Sequence, residues 1–250
     1  MNSRIARTLV LAIIGVASIT TAALAQKRPD AQSTLPDAEI LNLVQHALGE
    51  KNIRGLQVAV KDEVVTLTGQ VPSLWAEQQA IKTARKTNDV RQVVDRLSVV
   101  RGESDQVVAR DVARKIHRYV FYTIFDNVDI AVKNGVVTLT GAVTMPYRAS
   151  EIANLVAHVS GVQQVRNQIM ALPVSPYDDQ LRYRIASKIY RNPDFWNYAL
   201  NPAPPIHIVV DNGHVTLAGA VGSKMDKIEA GMIASSTFGV FSVDNELHVG

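Results

Sequence analysis

One short phrase recurs three times in this chain. Val64-Val65-Thr66-Leu67-Thr68-Gly69 returns as Val136-Val137-Thr138-Leu139-Thr140-Gly141 and again as His214-Val215-Thr216-Leu217-Ala218-Gly219. The glycines stand 72 and 78 residues apart, and the flanks keep step. Twenty residues past each glycine lie Asp89, Gly161 and Gly239; twenty-six past lie Asp95, Asn167 and Asn245; nine before lie Val60, Val132 and Val210. Three registers held at once mark an internal repeat. A unit of about 70 residues is close to the smallest that supports its own core. The chain therefore reads as a string of small domains, bounded at 37–101, 104–172 and 176–250, and not as one large enzyme fold.

Residues 1–25 read as a signal peptide. Arg4 and Arg7 form a positive head, Thr8 to Ala22 carry no charge, and Ala23-Leu24-Ala25 supplies a small-x-small cleavage pattern before Gln26. The apolar run is shorter than the ~20 residues of a membrane span. The expected product is exported and soluble, in the periplasm or peripheral to a membrane. With no cysteine, neither a disulfide framework nor a lipid-modified cysteine is available. Without Arg4 and Arg7 the formal net charge of +3 falls to +1, spread with no stripe of one sign. That argues against a nucleic-acid partner, which calls for a clustered basic footprint. Lys82, Arg85 and Lys86 on one short helix form the sole local excess, read as a solvated face.

Each unit opens with a helical ladder: Ile40, Leu41, Val44 and Leu48 behind Pro36-Asp37; Val108, Val112 and Ile116 behind Ser104-Asp105; Leu181, Ile185 and Ile189 behind the Ser175–Asp178 start. Strict alternation follows at Leu56, Val58, Val60, at Val128, Ile130, Val132 and at Ile206, Ile208, Val210, the pattern of a strand with one buried face. Asn134-Gly135 and Asn212-Gly213 suit a tight two-residue hairpin, whereas Asp62-Glu63 predicts a looser one. A returning strand, a second helix and a last strand complete the unit, with Gly161 and Gly239 expected to end the second helix in the left-handed conformation and Asn88-Asp89 in their place in unit one. The fold class is α+β: three tandem αββαβ domains, each a small mixed three-stranded sheet with two helices on one face. Short linkers, Arg101-Gly102-Glu103 and Pro173 to Pro176, imply that the units touch.

These residues resemble the BON domains (bacterial osmotically inducible and nodulation). The Asn134-Gly135-Val136-Val137-Thr138-Leu139-Thr140-Gly141 hairpin and the later Gly161-Val162-Gln163-Gln164-Val165-Arg166-Asn167 carry the likeness best. Unit three repeats it through Asn212 to Gly219 and Gly239 to Asn245, while unit one departs at Asp62-Glu63, Asp89 and Asp95 but keeps every spacing. The resemblance implies an envelope protein of the periplasm or outer membrane that binds phospholipid surfaces and supports the envelope under osmotic stress.

Catalytic spacings are missing from the sequence: there is no Cys nucleophile, no His-Glu-x-x-His, no phosphate-binding glycine loop and no Gly-x-Ser-x-Gly elbow. The six histidines are scattered, and no two sit four apart as a helical metal pair would. The expectation is no enzyme, no cofactor and no metal. Gly69, Gly135, Gly141, Gly161, Gly213, Gly219 and Gly239 read as structural, with Gly69, Gly141 and Gly219 permitting a bend or the close approach of a helix. One feature exceeds what folding needs. Half of the fourteen aromatics fall in two equivalent stretches between the first helix and first strand: Tyr119, Phe121, Tyr122 and Phe125 in unit two, and Phe195, Trp196 and Tyr198 in unit three. Such side chains suit a water–lipid boundary, or they cap a small core and cement neighbouring repeats. Phe121, Tyr122, Phe125, Phe195, Trp196 and Tyr198 are thus the candidate lipid contacts. The first functional reading is a phospholipid-surface module of the envelope. The alternative is a protein-interaction or chaperone-like scaffold, with a small-ligand adaptor a more distant third.

Overall fold

The computed structural model describes residues 35–101 and 104–250; the signal-peptide reading of residues 1–25 lies outside the described residues. Domain 1 comprises α1 (Asp37–Glu50), β1 (Gln57–Lys61), β2 (Val64–Val71), α2 (Leu74–Lys86) and β3 (Gln92–Val99). Domain 2 comprises α3 (Asp105–His117), β4 (Asn127–Lys133), β5 (Val136–Val143), α4 (Pro146–Ala157), β6 (Gln164–Asn167) and β7 (Met170–Ala171). Domain 3 runs through α5 (Pro176–Tyr190), a 3-10 turn at Pro193–Phe195, α6 (Trp196–Ala199), β8 (Ile206–Asp211), β9 (His214–Val221), α7 (Lys224–Ser235), β10 (Ser242–Asn245) and β11 (His248–Val249). In each sheet the middle strand pairs antiparallel with the one before it and parallel with the one after the second helix. The αββαβ order expected from the periodicities is the order observed. In domains 2 and 3 the last strand is interrupted, so β6–β7 and β10–β11 together take the place of the continuous β3.

The helical ladders are buried as their spacing requires: Ile40, Val44 and Leu48 meet Val65 and Leu67 of β2 and Ala80 and Ala84 of α2 in one cluster, and the other two domains repeat it. Serine caps start four of the helices. Ser73, Ser104, Ser175 and Ser223 each accept the N–H three residues on, filling one of the donors a helix start leaves open.

The three hairpins are alike, which corrects the looser turn expected at Asp62-Glu63. Lys61 pairs directly with Val64, and Asp62 and Glu63 sit at φ 51° and 64° in the left-handed region, as Asn134 and Asn212 do. The conformation is unfavourable for non-glycine residues by roughly 1 kcal/mol each, and a carboxylate offsets it. Asp37 accepts the N–H of Asp62 and Glu63 at 2.9 and 3.1 Å. Asp105 does the same for Asn134 and Gly135, and Asp178 for Asn212 and Gly213. One acidic residue in the first turn of each opening helix thus locks the hairpin of its own domain.

The glycines are structural, in two places differently from expectation. α4 ends at Ala157 and α7 at Ser235, so Gly161 and Gly239, at φ 85° and 97°, lie beyond the helices and not at their caps. A further turn closes first, through Val159 N–H to the Val156 carbonyl and Thr237 N–H to the Ala234 carbonyl. The chain then turns so that Gln163 and Phe241 N–H reach the Gly135 and Gly213 carbonyls. At Gly141 and Gly219 the close approach is by backbone of the preceding strand or its lead-in and not by a helix. A Cβ there would lie 2.3 Å from the Asn127 oxygen or 1.9 Å from the Pro205 oxygen.

Domain 1 carries a carboxyl pair where its sisters have an amide. Asn167 and Asn245 donate to the helix carbonyls of Ala149 and Lys227 at 3.0 and 2.7 Å. Asp95 stands at their position and has no such donor; its neighbour there is the half-buried Glu77, whose pKa burial and the adjacent Asp95 carboxylate push up to about 7. Because the folded value lies above the unfolded one, the folded state binds the extra proton. The resulting stability is complete below about pH 4.5 and is lost as pH rises through about 7. After discounting for solvent screening it amounts to ~1–2 kcal/mol. Asp95→Asn should therefore raise the melting temperature at pH 8 by a few degrees and flatten its decline between pH 5 and 8, which circular dichroism melts across that range will show. An unchanged pH profile would mean that the two carboxyls do not share a proton.

Candidate functional site

The aromatic stretch of domain 2 is organised by one fully buried carboxylate. Asp126 accepts from the Thr123 N–H at 2.9 Å and hydroxyl at 2.8 Å, from the Thr144 N–H at 2.8 Å and hydroxyl at 3.0 Å, and from Arg148 Nη1 at 2.6 Å. It ties the loop before β4 to the start of α4. Domain 3 makes the same tie with other chemistry. Gly222 and Asp226 stand where domain 2 has Thr144 and Arg148, and the Tyr198 hydroxyl joins them, accepting from Gly222 N–H at 2.6 Å and donating to Asp226 at 2.5 Å. That bond holds the Asp226 carboxyl below its ordinary range.

The six candidate contacts divide accordingly. Phe195 is only 1 % exposed and belongs to the core of domain 3, among Ile185, Ile189 and Ile206, so it cannot be a surface contact as expected. The 3-10 turn rolls it inward while the next residue, Trp196, points out and is 60 % exposed. Tyr198 is a hydrogen-bonding brace. Tyr122 is half-buried, accepts the Val128 N–H at 3.1 Å, and has its hydroxyl pKa pushed up to about 12 by burial. Phe125 packs into the core of domain 3 and lies edge-on to Tyr183 at 5.0 Å. Phe121, 54 % exposed, remains open to solvent beside Tyr119.

These loops build the joint between domains 2 and 3. Ile208 N–H donates to the Ile124 carbonyl at 2.7 Å, and His207 Nδ1 lies 2.6 Å from the Asp126 carbonyl, with the Tyr122 ring 5.4 Å away. Burial, the largest cause, and the nearby His117 hold the His207 pKa below its usual value, so the joint is built on a neutral imidazole. Domains 1 and 2 meet by other means: Trp75 stacks on His158 at 4.5 Å, Gln163 Nε2 donates to the Val99 carbonyl at 3.2 Å, and Arg101 bridges Gly161. The units do touch, as the short linkers imply, but the two joints use different surfaces.

Two features offer surface to a partner. A cleft of about 760 Å³ runs between the α3–β4 edge of domain 2 and the Pro202–Pro205 loop of domain 3. The outer face of α7 exposes Met225, Ile228 and Met232, each more than half accessible, while Ala230 and Ala234 face the core. From the sequence, Ile228 and Ile233 read together as the apolar set of this second helix; Ile233 does pack on the core, but Ile228 faces outward. Internal comparison supplies the signal: the equivalent positions are Trp75, Gln78 and Lys82 in α2 and Tyr147, Ser150 and Asn154 in α4. Phe238 and Phe241, just beyond α7, are also exposed where the sister domains have Asn88 and Arg91, Ser160 and Gln163. Among the described residues no group of three acidic, histidine or cysteine side chains could hold a metal, and no helix is long and apolar enough to cross a membrane.

Fold and surfaces together define a tandem repeat of one small α+β module whose outward features are apolar and backbone-edge surfaces. The chain belongs to the BON domain family, whose pattern matches residues 36–101, 104–173 and 177–250. No curated protein matches it. Among solved structures it is similar to CdsD, a structural protein of the Type III secretion system of Chlamydia trachomatis, at 15% identity over 85% of this chain and 93% of that one, with a TM-score of 0.25. It is also similar to the periplasmic domain of the inner-membrane protein PrgH from S. typhimurium, at 13% identity over 82% of this chain and 100% of that one, with a TM-score of 0.19.

Proposed function

We propose that this is an exported, non-enzymatic protein of the cell envelope whose third domain docks on phospholipid surfaces and so supports the envelope under osmotic stress. The single observation that carries the docking is the α7 face. Two sister domains fold with polar side chains at the Ile228 and Met232 positions, so folding does not require apolar ones there. The helix is about 18 Å long at 1.5 Å per residue, and the face begins beside the exposed Lys224, where anionic headgroups would sit. Docked there, the helix would lie in the plane of the interface with Met225, Ile228 and Met232 toward the acyl chains. Resemblance to the BON domains, with their implied phospholipid binding, supports the same reading. With a net charge near +1 after export, the association is weak and depends on apolar burial more than on salt.

Co-sedimentation of the mature protein with vesicles of phosphatidylglycerol and phosphatidylethanolamine tests it. Ile228→Ser with Met232→Ser should abolish most of the sedimentation and leave the melting temperature unchanged, since both positions are exposed. Undiminished sedimentation of that variant would remove α7 from the function, and no sedimentation of the parent protein would remove the lipid.

A further inference from the structure

One seat on the module is filled inside this chain, and the same seat stands open in domain 3. In each domain the residue that enters the last strand hydrogen-bonds back to the hairpin: the N–H groups of Arg91, Gln163 and Phe241 donate to the Glu63, Gly135 and Gly213 carbonyls, respectively. These three residues are therefore structural equivalents. In domain 2 the seat around Gln163 is covered by domain 1. Trp75, the second residue of α2, stacks on His158 at the end of α4, the Gln163 side chain donates to the Val99 carbonyl, and Arg101 bridges Gly161. That cover leaves Gly161 and Val162 buried and Gln163 half-buried.

Among the described residues nothing covers the other two seats, and they are built oppositely. In domain 1 the counterparts Asp89 and Val90 are only half-buried, Asn88 and Arg91 are exposed, and Arg91 turns its guanidinium back to the Asp62 carbonyl at 2.9 Å. That is a surface suited to water. In domain 3 Gly239 and Val240 are again half-buried, but Phe238 and Phe241 are 89% and 71% exposed. Domain 2 meets domain 3 elsewhere, through the Ile124 and Asp126 carbonyls, and at the seat the Tyr177 hydroxyl donates to the Gly239 carbonyl. The Phe241 ring is held 6.4 Å from Tyr177 and 6.0 Å from His214, so little freedom is lost when it is covered. An apolar group rimmed by polar residues, here the exposed Ser235, Ser236 and Ser242, marks a contact surface.

We propose that the Phe238–Phe241 seat receives domain 2 of a second copy of this chain, through the Tyr147 end of α4, as the seat of domain 2 receives domain 1. Tyr147 is the second residue of α4, the position that Trp75 holds in α2. It is half-exposed, preceded by the exposed Met145 and accompanied by the exposed Met170 of β7, the strand beside α4. The chain thus carries one open plug with a ring and one open seat with rings, while the plug of domain 1 is already engaged. The third plug position, Met225, offers no ring. Rings meeting rings add specific attraction beyond the area they bury. Plug and seat are different surfaces, so copies join head to tail, closing into a ring or extending. The contact is separate from Ile228 and Met232 and does not rest on lipid binding.

Sedimentation velocity of the mature chain at up to about 200 µM, a range that reaches the weak association of a small interface, should show a mass that rises above one chain with concentration. Phe238→Asn with Phe241→Arg gives domain 3 the seat of domain 1, and Tyr147→Ser removes the plug. Each variant should weaken the association at least about tenfold, as loss of an anchor ring does, with an unchanged melting temperature. Mixed together, the two should form one-to-one pairs and nothing larger, because the first keeps its plug and the second its seat. The Ile228→Ser, Met232→Ser variant should associate as the parent does. A parent mass independent of concentration, undiminished association in either variant, or a mixture that stays monomeric would each overturn the proposal. So would loss of vesicle co-sedimentation by the Phe238→Asn, Phe241→Arg variant at unchanged mass, which would assign the rings to lipid.

Discussion

Phe195→Ala is expected to unfold domain 3 at a temperature more than ~10 °C below that of the parent, while Trp196→Ser leaves the transition where it was. Phe195 is among the largest fully buried side chains, and it closes the end of the core formed by α5, β8 and β9. Truncating a buried aromatic costs ~3–5 kcal/mol through lost burial and the cavity left behind. For a domain of this size each kcal/mol moves the midpoint by roughly 4–8 °C. Trp196, its neighbour in sequence, has most of its surface in water and carries little of that load. Circular dichroism melts of the two single variants separate them without a ligand, and a small shift for Phe195→Ala would contradict its place in the core.

Asp126→Ala is expected to be nearly as damaging, for an electrostatic reason. The carboxylate is completely buried, and the Arg148 side chain paired with it is only 12% exposed. Removing one partner of a buried pair leaves an uncompensated charge and costs ~3–5 kcal/mol, whereas removing both costs far less. The double variant Asp126→Ala, Arg148→Met should therefore recover a large part of the loss in urea unfolding, and an additive double variant would show that the pair is not the source. Both forms should also loosen the joint to domain 3. The Ile124 and Asp126 carbonyls that hold Ile208 and His207 are presented by the loop this carboxylate fixes.

What the sequence determined by itself was everything set by neighbours along the chain. Strand alternation at Val128, Ile130, Val132 and helical spacing at Val108, Val112, Ile116 follow from which face of an element is buried, so they survive in any context. Asn134-Gly135 and Asn212-Gly213 specify their turns because the required φ is a property of the residues themselves. The first hairpin escaped that logic. Asp62-Glu63 adopts the same turn because Asp37, brought in from the opening helix, accepts both N–H groups. The fate of the aromatics escaped it as well: composition gathered Phe195, Trp196 and Tyr198 in one stretch, but three roles as core, surface and brace were assigned by how the 3-10 turn runs into α6 and how Tyr198 of α6 reaches the start of α7. Joints between domains were beyond reach for the same reason. His207 against the Asp126 carbonyl and Ile208 against Ile124 join residues more than 80 apart through backbone atoms, and no periodicity encodes a bond to a carbonyl that every residue possesses.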